Sequence, residues 1–204
     1  MAPPPGWLGE PVIADPGELV RAFGRLGADR RLLVYAQPSR KPGRVAGVPP
    51  EVLTSLHDAG GFTATLIKAD GARMRWIKAP AQGEPVLPAG VTTVLPLVSA
   101  KVFGQPLTEL IAHRLERVAA VTGAQPGEPL TPAHVARLLT SEQGALQGVG
   151  RAEVVPIINM VDDEAKRAAA RAAARQSLAW SNRLARIVLA SMTATDPIIE
   201  VVTR

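Results

Sequence analysis

The sequence predicts an α/β protein built on a doubly wound, mostly parallel sheet. Short runs rich in Val, Ile and Leu alternate with segments of helical periodicity along most of the chain. The apolar fraction is 47% but aromatics are only 3%, a palette that suits strands covered by helices on both faces. Successive parallel strands need long crossovers, and the helical segments supply them.

The elements follow in order. GELVRAFGRLG (17–27) spaces Leu19, Val20, Phe23 and Leu26 at helical intervals, and RLLVYA (31–36) reads as a short buried strand. SRKPGRVAG is loop. VPPEVLTSLHDAG (48–60) is a helix that opens on proline and closes on glycine. FTATLIKA (62–69) and VTTVLPLV (91–98) are expected strands, the second with an interior proline. A helix is expected from about Gln105 to Thr122. LTPAHVARLL (130–139) is a second, with Thr131 as its N-cap and Pro132 at the first helical position. EVVPIIN (153–159) is a strand, RIVLASM (186–192) another, and the terminal PIIEVV adds one more. With 204 residues, a single domain over 1–204 is expected, led by a flexible 1–12 and carrying a long Ala/Arg-rich helix over 163–186.

Composition removes several functions. There is no cysteine, so disulfides, thiolate metal sites and cysteine nucleophiles are excluded. The opening MAPPPGWLGEPVIADP has no basic and no apolar region of a leader, and no apolar run reaches membrane-spanning length. No membrane association is expected, and the expected address is cytoplasmic. The net charge is +5, but residues 163–186 alone contribute +4. A basic excess so local, with so few aromatics to stack on bases, argues against nucleic acid as a partner. His57, His113 and His134 fall in separate elements without zinc-ligand spacing. No Ser nucleophile elbow occurs.

Two strand ends carry polar groups of interest. In KADGARMRWIKAPAQGEPVLP (68–88), Asp70-Gly71 follows an apolar run and precedes Arg73, Arg75 and Lys78. An aspartate there can hold Mg²⁺ through water, the glycine lets backbone approach a phosphate, and the cations can hold an anion. The plain alternative is a solvated Asp-Gly turn. The second end, Asn159-Met160-Val161-Asp162, has the shape of a guanine-reading N-x-x-D element; alternatively Asp162 or Asp163 caps the next helix. Arg167, Arg171 and Arg175 repeat at i, i+4, i+8, which suits a solvated face or contact with an acidic partner. No G-x-x-x-x-G-K-[ST] occurs.

ADGAR, KAP and EPVLP together resemble the signature of the selenium-dependent hydroxylase accessory family (YqeC-type). The resemblance extends through GRVAGVPPEVL, FGQPL, His113-Arg114, TGAQPGEPLTPAHVARLL, EQGALQGV and the strand to Asn159 and Asp162. It implies a P-loop NTPase-like fold with its first βα unit missing from this sequence. It also implies a nucleotide with Mg²⁺ as cofactor. The implied role is in maturation of selenium-dependent molybdenum hydroxylases, with such a hydroxylase or its cofactor-assembly machinery as partner. By the same resemblance Asp70 and Gly71 match a Walker-B-like element, with Asp70 as metal ligand. Arg73, Lys78, Pro80, Glu84 and Pro85 match the loop after it, and Asn159 and Asp162 the base-side motif. Lys68 replaces an acidic residue and Met160 a polar one, and both changes point away from nucleotide hydrolysis. A missing βα unit would expose a sheet edge, and a homodimer is the expected cover. A scaffold that binds a client, or an anion- or cofactor-binding module using the 71–88 loop, is the alternative reading.

Overall fold

A computed structural model describes residues 11–23, 25 and 34–204. The expected lead over 1–12 falls almost wholly outside them, as do residues 31–33 of the first expected strand. The described chain divides into two compact units, one of residues up to Lys68 with Pro88–Gly90, the other of Ala69–Leu87 with Val91–Arg204.

The first unit is a small three-stranded sheet with two helices. Strand β1 (Val12–Ile13) pairs in parallel with β2 (Tyr35–Pro38), which pairs antiparallel with β3 (Val45–Ala46). Helix α1 (Pro16–Phe23) starts on proline, and α2 (Leu53–Gly60) follows a 3₁₀ turn at Pro50–Val52. Helix α2 stops where Gly61 takes a left-handed conformation. The apolar stripes of both helices meet in a core of Leu19, Phe23, Leu53 and Leu56. Phe23 anchors it, edge-on to Tyr35 at 5.1 Å and to Phe62 at 5.7 Å between centroids.

Residues 62–69 form no strand, contrary to expectation. Phe62 turns into the core, but Leu66 is 90% exposed and the boundary between the units falls at 68/69. An apolar run has no ladder without a neighbour to pair with, and this one joins two units instead.

The second unit carries the larger sheet, ordered β11–β10–β9–β6. Strands β6 (Leu97–Ser99), β9 (Ile157–Asn159) and β10 (Arg186–Ala190) are parallel; β11 (Ile198–Thr203) closes the edge antiparallel to β10. Ser99 N donates to Trp76 O at 2.9 Å, which ties β6 to β4 (Ile77–Lys78), and β4 pairs in parallel with β7 (Ala112–His113). The pairing is therefore mostly parallel within a mixed α/β architecture.

Each expected strand at 91–98 and 153–159 is split by its proline. β5 (Thr93–Val94) precedes β6 and β8 (Glu153–Val154) precedes β9, with one constant register from Thr93↔Glu153 through Ser99↔Asn159. Pro96 and Pro156 therefore stand abreast. Pro96 O accepts from Ile157 N at 2.8 Å, whereas Pro156 O accepts from Val188 N at 2.9 Å. A residue's N–H and C=O point to the same side of a strand. Pro96 thus removes a rung towards β9 and Pro156 one towards β10.

Helices α3 (Leu115–Thr122), α4 (Pro132–Thr140) and α5 (Glu164–Trp180) complete the unit. The expected helix at 105–122 exists only over its last eight residues, Leu115–Thr122. Residues 104–107 exchange hydrogen bonds with 127–130 instead, among them Leu107 N to Glu128 O at 2.9 Å and Leu130 N to Gln105 O at 2.9 Å. Leu107 and Ile111 are buried without being helical; Pro106 suits the extended pairing and not a helix interior. α4 begins as expected, its Thr131 and His134 forming a reciprocal capping box behind Pro132. α5 ends at Trp180, earlier than the expected 186. Arg183 lies beyond it and Arg186 opens β10. No described helix is long and apolar enough to cross a membrane.

Candidate functional site

The carboxyl ends of β6, β9 and β10 place Ser99, Asn159 and Ala190 along one edge of the larger sheet, and the two-stranded pair β4 and β7 ends in Lys78 and His113. In open parallel sheets this edge is where loops converge on ligands. The charged part is built around Glu84. Lys78 Nζ leaves the end of β4 and bridges Asp70 and Glu84, the latter at 2.7 Å, while Gly71 O lies at 3.3 Å. Asp70 Oδ1 accepts from Gly71 N at 2.6 Å, so the Asp-Gly pair folds back on itself. Arg114 grips Glu84 with both prongs, Nη1 to Oε2 at 2.8 Å and Nη2 to Oε1 at 2.7 Å.

Backbone geometry aims these groups. Arg114 sits between β7 and α3 with φ of 65°, a left-handed conformation uncommon without glycine. Arg73 and Met74 are also left-handed, at 49° and 65°, and both are exposed. The turn 81–84 is held from outside, because Gln147 Nε2 donates to Ala81 O at 2.6 Å and also to Glu84 O. Arg117 Nε donates to Pro80 O at 2.7 Å.

The electrostatics follow from these contacts. The Arg114 hydrogen bond, then that from Lys78, lowers the Glu84 pKa from 4.5 to about 2. Glu84 in turn raises that of Arg114. Burial, then the positive charges of Arg114, Lys78 and Arg73, lower the His113 pKa and favour the neutral ring.

The other expected pair is arranged differently. Asn159 lies opposite Ser99, and its Oδ1 is buried without a hydrogen-bond partner among the described residues. Met160 is left-handed at 61°, and its sulfur accepts from Ser99 Oγ at 3.1 Å. Asp162 accepts from Ser191 Oγ at 2.7 Å and leaves the capping of α5 to Asp163, which accepts from Lys166 N at 2.8 Å. Of the expected site residues, Asp70, Gly71, Lys78 and Glu84 converge. Arg73 is near enough to act on His113 electrostatically, and Asn159 and Asp162 belong to the β9 end.

A magnesium ion does not fit the Asp70 donor set as it stands. One carboxylate oxygen takes an ammonium and the other a backbone N–H. No group of three or more His, Asp or Glu side chains gathers at metal-binding range among the described residues. Arg167 and Arg171 are not a free stripe: both reach Glu200 on β11, Arg171 Nη2 at 2.7 Å. Arg114 and Gln147 lie in the segments His113-Arg114 and EQGALQGV that carry the family resemblance, but neither is among the expected site residues. The helix expected over 105–122 hides the position of Arg114 directly after a short strand.

These features define a mixed α/β protein with a charge-compensated cluster at the carboxyl ends of the parallel pair β4 and β7. The chain belongs to the YqeC protein family, which matches residues 10–116. It is similar to the uncharacterized protein YqeC of Escherichia coli (strain K12), with 30% identity over 107 residues. That match covers 52% of this chain and 42% of the relative, so the chain spans under half of the relative's length. No solved structure matches it.

Proposed function

We propose that this chain is an accessory protein in the maturation of selenium-dependent molybdenum hydroxylases, acting by binding and not by nucleotide hydrolysis. The observation that carries this reading is the family match over 10–116, a span that contains the whole Asp70–Lys78–Glu84–Arg114 cluster. Its partner on this reading is the hydroxylase or its cofactor-assembly machinery, met in the cytoplasm through the 71–88 loop. The mostly parallel sheet is compatible with a doubly wound relative of P-loop NTPases. A homodimer would cover an open sheet edge.

The left-handed Arg73 and Met74 favour the loop as the contact, since strained backbone concentrates where function pays for it. Bound nucleotide with Mg²⁺ at Asp70 is the second reading, and it requires Lys78 to release that carboxylate.

In cells making such a hydroxylase, deleting the gene should lower hydroxylase specific activity. The wild-type chain should restore it and Asp70→Ala should not, although the variant chain remains folded by circular dichroism. Unchanged hydroxylase activity after deletion would falsify the maturation role. Calorimetry with ATP or GTP that shows micromolar, Mg²⁺-dependent affinity would replace the binding-only reading with the second one.

A further inference from the structure

Glu84 also forms one wall of an open cleft of about 570 Å³, whose other walls come from α3 and the turn after α4. That is within the range of small-molecule sites, roughly 300–1,000 Å³. The residues facing this cleft differ from the compensated cluster behind it.

Arg117 is the cation of the cleft. It is half-buried on α3, its Nε is committed to Pro80 O, and no carboxylate lies within ion-pair distance of it among the described residues. Its two terminal nitrogens keep their donors. Glu84 is the one acidic group on the lining, and Lys78 and Arg114 already balance its charge. Arg117 therefore sets the sign of the cleft.

Neutral amides complete the lining. Gln147 is spent on holding the wall, but the side chains of Gln82 and Gln143 make no hydrogen bond among the described residues. Gly83 and Gly148 line the cleft in left-handed conformations, and a Cβ at either would meet nothing within 4 Å. The backbone at both is therefore open to a bound molecule.

We infer that this cleft binds an oxyanion-bearing small molecule, a phosphate or a carboxylate, with Arg117 as its anchor and the Gln82 and Gln143 amides as accessory donors. A guanidinium presents paired donors that match two oxygens of such a group, and the flanking amides suit the remaining lone pairs. The inference stands on the cleft alone and does not need the maturation role.

The test titrates the full chain with inorganic phosphate and, separately, with acetate, reading the backbone amide signals of Gly83 and Gly148 by NMR. Saturable shifts with one or both anions are expected, and which anion saturates identifies the source. Arg117→Gln should weaken that binding about tenfold, the loss of one charge-assisted contact. Because Arg117 also holds Pro80, Gln143→Glu provides a second variant that removes no hydrogen bond of its side chain. It should weaken binding at an unchanged melting temperature, while Arg175→Gln on α5 should leave binding as it was. No saturation with either anion, or equal affinity in Gln143→Glu and wild type, overturns the inference.

Discussion

Arg114 and Glu84 are joined by two parallel hydrogen bonds of 2.8 and 2.7 Å, across thirty residues of chain. They fasten the turn after β4 to the start of α3, and Lys78 adds a third contact to the same carboxylate. The pair is therefore a structural clamp on the loop that carries the family signature.

The clamp makes stability depend on pH in a definite sense. The folded pKa of Glu84 is depressed to about 2 from its ordinary 4.5. A depressed carboxylate stabilises the fold fully above the unfolded value, and that stabilisation is lost as pH falls from about 4.5 towards about 2. After discounting for partial exposure, the contribution is about 1–2 kcal/mol. Urea unfolding at pH 6 and pH 3 should show Glu84→Gln less stable than wild type at pH 6, with the gap narrowing at pH 3. A gap that stays constant with pH removes Glu84 from this account.

Glu200 is the corresponding fastener at the other edge. Its carboxylate takes Arg171 at 2.9 and 2.7 Å and Arg167 at 3.2 Å, which ties β11 to α5, and these contacts lower its pKa. Glu200→Ala should cost about 1–2 kcal/mol, with part of the loss reproduced in the wild type by molar salt. Amide exchange should quicken mainly in Ile198–Thr203. Equal exchange across the sheet in the variant counts against this picture.

Gly144 offers a packing test. A Cβ there would come within 2.2 Å of Leu138 O, the carbonyl that accepts from Ala145 N at 2.9 Å. Backbone cannot yield as a flexible side chain does, so Gly144→Ala should cost about 1–3 kcal/mol. A melting temperature equal to wild type would show that the turn after α4 is looser than its contacts indicate.

The sequence carried the helices with local signals most clearly. Thr131-Pro132 marked the start of α4 because cap and first-turn chemistry are local. The glycine expected to close the helix at 48–60, Gly60, is the last residue of α2, with Gly61 as its left-handed cap. The helix expected at 105–122 is absent over 105–114, where the apolar spacing of Leu107 and Ile111 matched a helical face. Leu107 instead pairs with 127–130, and Ile111 O accepts from Trp76 N and Ile77 N. Non-local partners leave no trace in periodicity. Residues 62–69 failed likewise, since a strand-like run needs a neighbour. In the site, Asp70 and Lys78 were legible as charges after an apolar run, although the strand expected at 62–69 is absent and Lys78 ends β4 instead. Glu84 was marked only by the family resemblance. That they neutralise one another through Arg114 depends on β4 pairing with β7, which no local pattern encodes.

The two prolines abreast in the central strands have a mechanical consequence. Each removes a rung at the same level, one on either flank of the strand that holds Pro156. A strip scored across its width bends at the score. The sheet is least stiff along that line, and the segments beyond it end in Ser99, Asn159 and Ala190.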